Sequence, residues 1–244
     1  MFDSPDLILD YLVSASFLHA AGMTLMITLV SMAWGMLIGL LIALGQEWNR
    51  PGLNVLIVAY LWLFRGTPVL FQIIFIFNVL PAMGILFSGF TSAVLALALN
   101  EAAYIAEIFR SGIEAVGKGQ RTAGRSLGMK NWQVMRHIVL PQALRTVIPP
   151  IGNQFLGMLK LSALVSVIGV EDLLLTANQT ASANFRYFEA LTAAGVFYLA
   201  MTTLFMFGQS WLERKVNPRR GNAGATKGKS LTQRLLGMTA NTGA

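Results

Sequence analysis

The stretch FLHAAGMTLMITLVSMAWGMLIGLLIALG, residues 17–45, contains no aspartate, glutamate, lysine or arginine. An α-helix of this length, rising about 1.5 Å per residue, exceeds the roughly 30 Å of hydrocarbon in a bilayer. In lipid such a helix satisfies its own backbone hydrogen bonds and needs no charged surface. The stretch therefore predicts a membrane-spanning helix.

The composition of the whole chain also indicates that it lies in a lipid bilayer. Hydrophobic residues make up 55% of the 244 residues and charged residues only 12%, about half the share that is usual in soluble domains. There is no cysteine, and neither His19 nor His137 has a second metal ligand at helical spacing, so we expect no disulfide and no metal site. The chain also lacks a phosphate-binding loop and the common hydrolase motifs, so we expect it to bind no cofactor itself.

Four further apolar segments are long enough to cross a membrane. They are residues 53–80, 88–114, 144–170 and 190–212. The second segment is interrupted by Arg65-Gly66-Thr67-Pro68, where proline removes a backbone donor and predicts a break. Gly35 and Gly39 have the small-xxx-small spacing that favours close helix packing. We therefore predict an all-α membrane protein with five transmembrane helices.

The basic residues predict the orientation of these helices. Lysines and arginines cluster between the third and fourth spans and in the tail after the fifth, whereas the N-terminal segment carries only acids. Because cytoplasmic loops are rich in lysine and arginine, we expect the N-terminus outside and the C-terminus in the cytoplasm. We divide the chain into a periplasmic segment 1–16, a transmembrane domain 17–216 and a basic tail 217–244 that we expect to be disordered. The net charge of +7 then reflects topology and requires no nucleic-acid partner.

The connection between the third and fourth spans has the pattern of two short helices. Gly119 and Gly128 bracket the first, and Gly128 is a plausible C-terminal stop. Asn131 is a suitable N-cap for the second, which we expect to end before Pro141. Its apolar face would consist of Trp132, Met135, Ile138 and Val139. Two helices on the cytoplasmic surface would form a knob that fits docking to a soluble partner.

This loop resembles the permeases of binding-protein-dependent ABC importers. Their pattern is Glu-Ala-Ala, three residues, Gly, nine residues, Ile, one residue and Leu-Pro; here Thr122-Ala123-Gly124 begins it and Gly128 takes the glycine. The chain departs from the pattern at Thr122 and Gly124. The resemblance implies a coupling helix that sits in a cleft of the ATPase subunit. The implied coupling residues are Gly119, Gln120, Thr122, Ala123, Gly124, Leu127 and Gly128.

Four further segments resemble the polar amino acid branch of this family. They read FRGTP at 64–68, NEAAYIAEIFRSGI at 100–113, LPQALR at 140–145 and LVSVIG at 164–169. The resemblance implies a non-catalytic pore subunit in the bacterial inner membrane that pairs with a second permease chain. It also implies two ATPase subunits that use ATP and magnesium, a solute-binding protein that delivers the amino acid, and transport by alternating access.

Polar residues within the spans are the candidates for a substrate pathway, since a charge at mid-bilayer costs about 2.5–3.5 kcal/mol on insertion scales and so faces protein or water. In the third span the residues Asn100, Tyr104, Glu107, Ser111 and Glu114 recur at spacings of three and four and form one stripe. The pathway candidates are Arg65, Thr67, Gln72, Asn100, Glu101, Tyr104, Lys160 and Ser162. For Arg65 the functional interpretation is an anchor for the substrate carboxylate, and the alternatives are an ion pair with a glutamate of the third span or a position near the cytoplasmic surface. Lys160 could instead extend to the membrane interface or pair with an acid. The alternative for the third-span residues is interhelical packing with a salt bridge.

Two other classes of function remain open from the residues alone. One is half of an ion-coupled secondary transporter or a small channel, although we find no internal repeat of the kind that class uses. The other is an intramembrane enzyme with Glu101 and Glu107 as acids. These two lie six positions apart and so point to different faces of a helix, which argues against a catalytic pair.

Overall fold

The fold is known from a computed structural model that describes residues 5–48 and 50–216. All regular structure in these residues is helical. The ten helices, in chain order, are α1 Pro5–Val13, α2 Ala15–Glu47, α3 Pro51–Gly66, α4 Val69–Ile74, α5 Gly89–Glu114, α6 Lys118–Ser126, α7 Asn131–Val134, α8 Leu140–Leu161, α9 Leu173–Asn184 and α10 Tyr187–Val216. The expected tail 217–244 lies outside the described residues.

Four helical stretches are long and apolar enough to cross a membrane by themselves. They are Ala15–Glu47, Gly89–Glu114, Asn131–Ile168 and Tyr187–Val216. A fifth span exists if Pro51–Gly66 and Val69–Met83, which meet at an angle of 104°, are taken together. The predicted all-α membrane fold is therefore confirmed, and the predicted break in the second span lies between α3 and α4.

The break between α3 and α4 follows from its sequence. Thr67 has an extended backbone, φ −115° and ψ 145°, as expected of a residue that precedes proline. Pro68 is the N-cap of α4, where its missing N–H costs nothing. α4 continues as a π-turn, Phe75–Val79, and a 3₁₀ turn, Leu80–Met83.

Glycines bring α2 and α5 into close contact. A Cβ atom added at Gly39 would lie 2.7 Å from Cγ2 of Ile105 and 2.9 Å from the carbonyl oxygen of Ala102. One added at Gly35 would lie 3.0 Å from Cβ of Glu101. Small residues allow helix backbones to approach in lipid, where packing rather than water exclusion drives association. The predicted packing role of Gly35 and Gly39 is thus confirmed.

The helix that contains the fourth span differs from the prediction. It does not end before Pro141, because α7 runs through a π-turn, Met135–Val139, into α8. In the π-turn the N–H of Leu140 bonds to the carbonyl of Met135, and the side chain of Gln142 bonds to the carbonyl of Ile138 at 2.8 Å. The helical backbone thus continues through Pro141, which directly follows the π-turn.

The start of this helix is also displaced by one residue from the prediction. Lys130 rather than Asn131 is the N-cap, because the side chain of Gln133 accepts a hydrogen bond from the Lys130 N–H at 2.8 Å. Asn131 accepts a hydrogen bond from Nε of Arg125 instead, at 3.1 Å. The predicted apolar face is incomplete, since Val139 is buried while Trp132 is 57% exposed.

Two helices were not predicted. α1 precedes the first span, and α9 fills most of the connection between the fourth and fifth spans. The N-cap of α9 is Asp172, whose buried carboxylate accepts hydrogen bonds from the N–H groups of Leu174 and Leu175 at 3.2 and 3.0 Å. An aspartate N-cap of this kind satisfies donors that a helix leaves unpaired. Both helices pack against α10 around alanines of α9 and α10.

Candidate functional site

A network of buried amides spans the break between α3 and α4. The side-chain nitrogen of Gln72 donates to the carbonyl of Phe64 at 3.0 Å, and to the carbonyl and hydroxyl oxygens of Thr67 at 3.2 and 2.9 Å. The side-chain nitrogen of Asn100, on α5, donates to the same Phe64 carbonyl at 3.0 Å and to Oε1 of Gln72 at 3.1 Å. The structure thus brings three pathway candidates together.

These contacts give the three candidates a structural task. The last carbonyls of a helix have no intrahelical partner, and a carbonyl without a hydrogen bond destabilises a helix in lipid by several kcal/mol. Gln72 is 5% exposed and Asn100 is 6% exposed, so neither has much free surface. Their amides replace the backbone bonds that the break at Pro68 removes. A contact of Thr67, Gln72 or Asn100 with substrate stays a prediction.

Arg65 lies beside the acidic stripe of α5. Its guanidinium is 3.7 Å from a carboxylate oxygen of Glu107 and 5.6 Å from the centre of the Tyr104 ring. Glu107 is also paired with Arg110 at 2.9 Å, and Arg110 reaches Glu114 at 2.8 Å. The ion pair between Arg65 and a third-span glutamate, one of the two alternatives drawn from the sequence, is therefore present. The pair is partly open, since the Arg65 side chain is 43% exposed.

Glu101 is separate from that stripe and is almost completely buried. It is 2% exposed, contacts the Gly35 surface of α2, and accepts a hydrogen bond from the side chain of Gln154 at 3.0 Å. Gln154 lies on α8, so this bond connects the fourth span to the interface between α2 and α5. The geometry fits a polar link between three spans.

Of the last two pathway candidates, Lys160 lies in the last turn of α8 and Ser162 directly follows α8; the two differ in exposure. Ser162 is buried, and its hydroxyl donates to the carbonyl of Leu159, three residues earlier in the chain, at 2.9 Å. Lys160 is exposed. It belongs to a row of exposed polar residues that recur at spacings of four and seven along the helix, namely Gln142, Thr146, Asn153 and Lys160. A polar row of this length on a membrane span requires a cover other than lipid.

The loop between α5 and α8 contains the predicted stop at Gly128. This residue has φ +79°, in the left-handed region that favours glycine. Its N–H bonds to the carbonyl of Arg125 at 2.9 Å, and the N–H of Met129 bonds to the carbonyl of Gly124 at 3.1 Å. These two bonds form a Schellman motif, which ends α6 and turns the chain toward α7.

The seven predicted coupling residues divide into an outer and an inner set. Gly124 is inner, because a Cβ atom there would lie 2.7 Å from Ile138 and 3.1 Å from Val134. Leu127 is 82% exposed and so offers an apolar side chain to a partner. The outer set contains Gly119, Gln120, Thr122, Ala123, Leu127 and Gly128. One side of α6 is therefore exposed, and Gly124 on the other side packs against Val134 and Ile138.

Sequence reasoning missed the partners of several polar groups. Asn153 and Gln154 belong to no motif. The helical period would place Asn153, but not Gln154, on the same face as Gln142. Arg121 forms an ion pair with Glu47 at 3.3 Å, across 74 residues, and no local spacing indicates it. Within residues 5–48 and 50–216, no three histidine, cysteine, aspartate or glutamate side chains are grouped as a metal site would require.

Comparison with known proteins identifies the class of this fold and loop. Residues 35–218 match the family model described as "Binding-protein-dependent transport system inner membrane component". The glutamine transport system permease protein of Escherichia coli is 36% identical over 201 residues, which cover 82% of this chain and 92% of the relative. The arginine transport system permease protein of Corynebacterium glutamicum is 38% identical over 220 residues, covering 84% and 69% of the two chains.

Solved structures agree with these relatives. The crystal structure of an amino acid ABC transporter with histidines matches with a TM-score of 0.78 and 41% identity, covering 82% of this chain and 94% of the other. The methionine ABC transporter MetNI in an inward-facing conformation matches with a TM-score of 0.71 at 21% identity, which shows the fold alone. The chain belongs to the family of inner-membrane components of binding-protein-dependent transport systems. It is a multi-pass membrane protein and a permease subunit.

Proposed function

We propose that the chain is the pore subunit of an ATP-driven importer for a polar amino acid. Relatives at 35–38% identity are named for glutamine and arginine transport. The observation that carries the proposal is the exposed surface of α6, which ends in a Schellman turn at Gly128 and displays Leu127. Most of this surface is uncovered by the part of the chain that the structure describes, and it would fit the cleft of an ATPase subunit. ATP and magnesium would be used by that subunit, and this chain would catalyse no reaction.

The substrate pathway would lie against the exposed polar faces of α5 and α8. Tyr104 is exposed on α5, with Arg65 of α3 beside it, and Asn153 and Lys160 are exposed on α8. Lipid does not cover such groups, whereas a second permease chain and a water-filled path between the two chains would. We therefore propose a dimer, in which ATP-driven movement of α6 opens the path to alternate sides of the membrane.

The orientation proposed is N-terminus outside and C-terminus inside, in the bacterial inner membrane. α6 and α7 would then lie in the cytoplasm, where the lysines and arginines of their connection are expected. α1 and α9 would lie on the outer side, where a solute-binding protein would dock. In this arrangement residues 1–16 would be periplasmic, 17–216 would form the transmembrane domain and 217–244 the cytoplasmic tail.

The family match does not favour the alternative of an ion-coupled secondary transporter or channel. The two proposals also differ in what the loop does. In a self-sufficient transporter the surface of α6 would have no essential partner, whereas the importer requires it for assembly with an ATPase subunit.

Copurification followed by reconstitution tests the proposal. The tagged full-length chain, expressed in its own host, should retain an ATPase subunit and, after reconstitution with its solute-binding protein, take up radiolabelled polar amino acids from a mixture only when ATP is supplied. Because the proposal couples ATP use to substrate delivery, the loaded binding protein should also raise ATP hydrolysis.

The control replaces the loop sequence 117–141 with a scrambled version. Loss of both the ATPase subunit and uptake would support the proposal. Uptake by the purified chain alone in liposomes, without nucleotide, would refute it. Retention of assembly and uptake by the scrambled loop would refute it equally.

A further inference from the structure

Arg121, on α6, contacts the ends of two membrane helices at once. One guanidinium nitrogen is 3.3 Å from a carboxylate oxygen of Glu47, the last residue of α2. Another donates to the carbonyl oxygen of Ile113, in the last turn of α5, at 2.9 Å. The side chains of Arg121 and Glu47 are 25% and 28% exposed. The planar guanidinium has donors in a fixed fork, which suits two acceptors in different directions.

The position of Glu47 at the C-terminal end of α2 indicates that Arg121 compensates an unfavourable charge. The C-terminal end of a helix carries partial negative charge, so a glutamate there is unfavourable unless a cation compensates it. No basic residue lies in the last turn of α2, and Arg121 supplies the compensation from a different segment of the chain. The same guanidinium also bonds the Ile113 carbonyl at the end of α5, which accepts a second hydrogen bond from the Val116 N–H at 3.3 Å.

α2 and α5 are suited to move together. Their backbones meet at Gly35 and Gly39, where an added Cβ atom would contact α5 at 3.0 and 2.7 Å. Interfaces this close do not slide without unpacking, since packed helices are rigid against one another. A force applied to the cytoplasmic ends of both helices would therefore move them as one unit.

The other contacts of α6 lead elsewhere. Gly124 packs against Val134 and Ile138, which belong to the helix that continues into α8. Arg125 bonds to Asn131 at the start of that same helix. Among the described residues, the contact with Glu47 is the polar link from α6 to α2. Without it, movement of α6 would reach α8 and α5 directly, but α2 only through the packing of α2 on α5.

We propose that Arg121 is a positioning residue that transmits the movement of α6 to α2 and α5 through its bonds to Glu47 and the Ile113 carbonyl. The proposal rests on the proposed function, because it assumes that an ATPase subunit moves α6. Arg121 is not one of the coupling residues predicted from the sequence, and it does not belong to the outer set of α6. Docking and transmission would thus use different side chains of one short helix.

The test uses the reconstituted complex of the full-length chain with its copurified ATPase subunit and its solute-binding protein, supplied with the mixture of polar amino acids. The variants are Arg121→Gln, Glu47→Gln and the two combined, with Arg125→Gln as the matched loss of one charge on α6. The measurements are the amount of ATPase subunit retained and the factor by which the loaded binding protein stimulates ATP hydrolysis.

Arg121→Gln removes both bonds, and we expect the stimulation factor to fall about five-fold, at the lower end of typical coupling strengths. Glu47→Gln removes the negative charge of one bond but keeps an acceptor oxygen, and we expect a fall of about two-fold, as for a partly exposed ion pair. The double variant should match Arg121→Gln, since the two changes remove a shared contact. Arg121→Lys should lie between Arg121→Gln and the unmodified chain, because lysine keeps the charge but not the fork. The amount of ATPase subunit retained should not change.

Three results would overturn the inference. Full stimulation in Arg121→Gln would show that the contact transmits nothing. Losses that multiply in the double variant would show that Arg121 and Glu47 act separately. Loss of the ATPase subunit in Arg121→Gln but not in Arg125→Gln would assign Arg121 to docking. An unmodified chain that retains no ATPase subunit would instead refute the proposed function, and the inference with it.

Discussion

Replacement of Asn100 by alanine should destabilise the chain by breaking the amide network at the break between α3 and α4. Asn100 makes two hydrogen bonds, to the Phe64 carbonyl and to Gln72. Hydrogen bonds between helices in a membrane contribute about 0.6 kcal/mol each on average. The variant also leaves the side-chain oxygen of Gln72 buried without a partner, at a cost of about 1 kcal/mol. The expected loss is therefore about 2 kcal/mol.

The assay is unfolding of the purified chain in mixed micelles, followed by far-ultraviolet circular dichroism as denaturing detergent is added. Gln72→Ala should cost more than Asn100→Ala, because Gln72 also donates to Thr67. The double variant should be more stable than the sum of the single losses predicts, by about 1 kcal/mol, since both single variants remove the same amide–amide bond. Ser111→Ala, an exposed position on the same helix, is the control.

This prediction separates a structural role of Asn100 from a role in binding substrate. A residue that only contacts substrate would leave the unfolding midpoint unchanged while uptake falls. An unchanged midpoint in Asn100→Ala, or strictly additive losses with Gln72→Ala, would refute the assignment of these amides to the helix break. Stability should respond even in the chain alone, without an ATPase subunit or a binding protein.

Three further changes test other parts of the fold. Gly39→Ala places a Cβ atom 2.7 Å from Ile105, so we expect a loss of about 1–3 kcal/mol in the same unfolding assay. Gly128→Ala forces an alanine to φ +79°, which should cost about 1 kcal/mol and reduce the copurified ATPase subunit. Burial raises the pKa of Asp172, which disfavours its charged form in the fold, so stability should rise as the pH falls through that raised pKa. Asp172→Asn should flatten this pH dependence.

Each of the three changes has a control variant or comparison and a result that would contradict the prediction. Gly22→Ala and Gly117→Ala add a Cβ atom with nothing within 4 Å, so they should leave stability and assembly nearly unchanged. Equal losses at Gly22 and Gly39 would contradict the close packing of α2 on α5. Equal effects at Gly117 and Gly128 would contradict the turn geometry. Stability of the unmodified chain that decreases as the pH falls, with the same slope in Asp172→Asn, would contradict the sign assigned to Asp172.

Features that depend on neighbouring residues along the chain could be predicted well. The lengths of the spans, the break before Pro68 and the stop at Gly128 each follow from apolar runs or from the backbone limits of proline and glycine. The close approach at Gly39 also has a local pattern. The errors were local as well, at Asn131 and Pro141, where a capping side chain and a π-turn changed the expected helix ends.

The roles of the polar side chains within the spans could not be predicted in the same way. From the sequence, Arg65 could anchor a substrate carboxylate or pair with a glutamate, and only the fold shows Glu107 at 3.7 Å. Glu101 required a partner that no spacing indicated, and the fold supplies Gln154 from a span 53 positions later. A polar group in lipid must find a partner, but the sequence alone does not state which helix provides it.

By itself the sequence determined that this chain lies in a membrane, that its elements are helices and where most of them begin and end. Transfer into lipid and backbone hydrogen bonding within a helix depend on residues close together in the chain, so composition and local pattern are sufficient. The tertiary structure alone decided that Gln72 pairs with Asn100 and that Arg121 reaches Glu47, 28 and 74 positions apart. Such pairs depend on which helix faces pack together, and that choice is settled by contacts among all the helices at once.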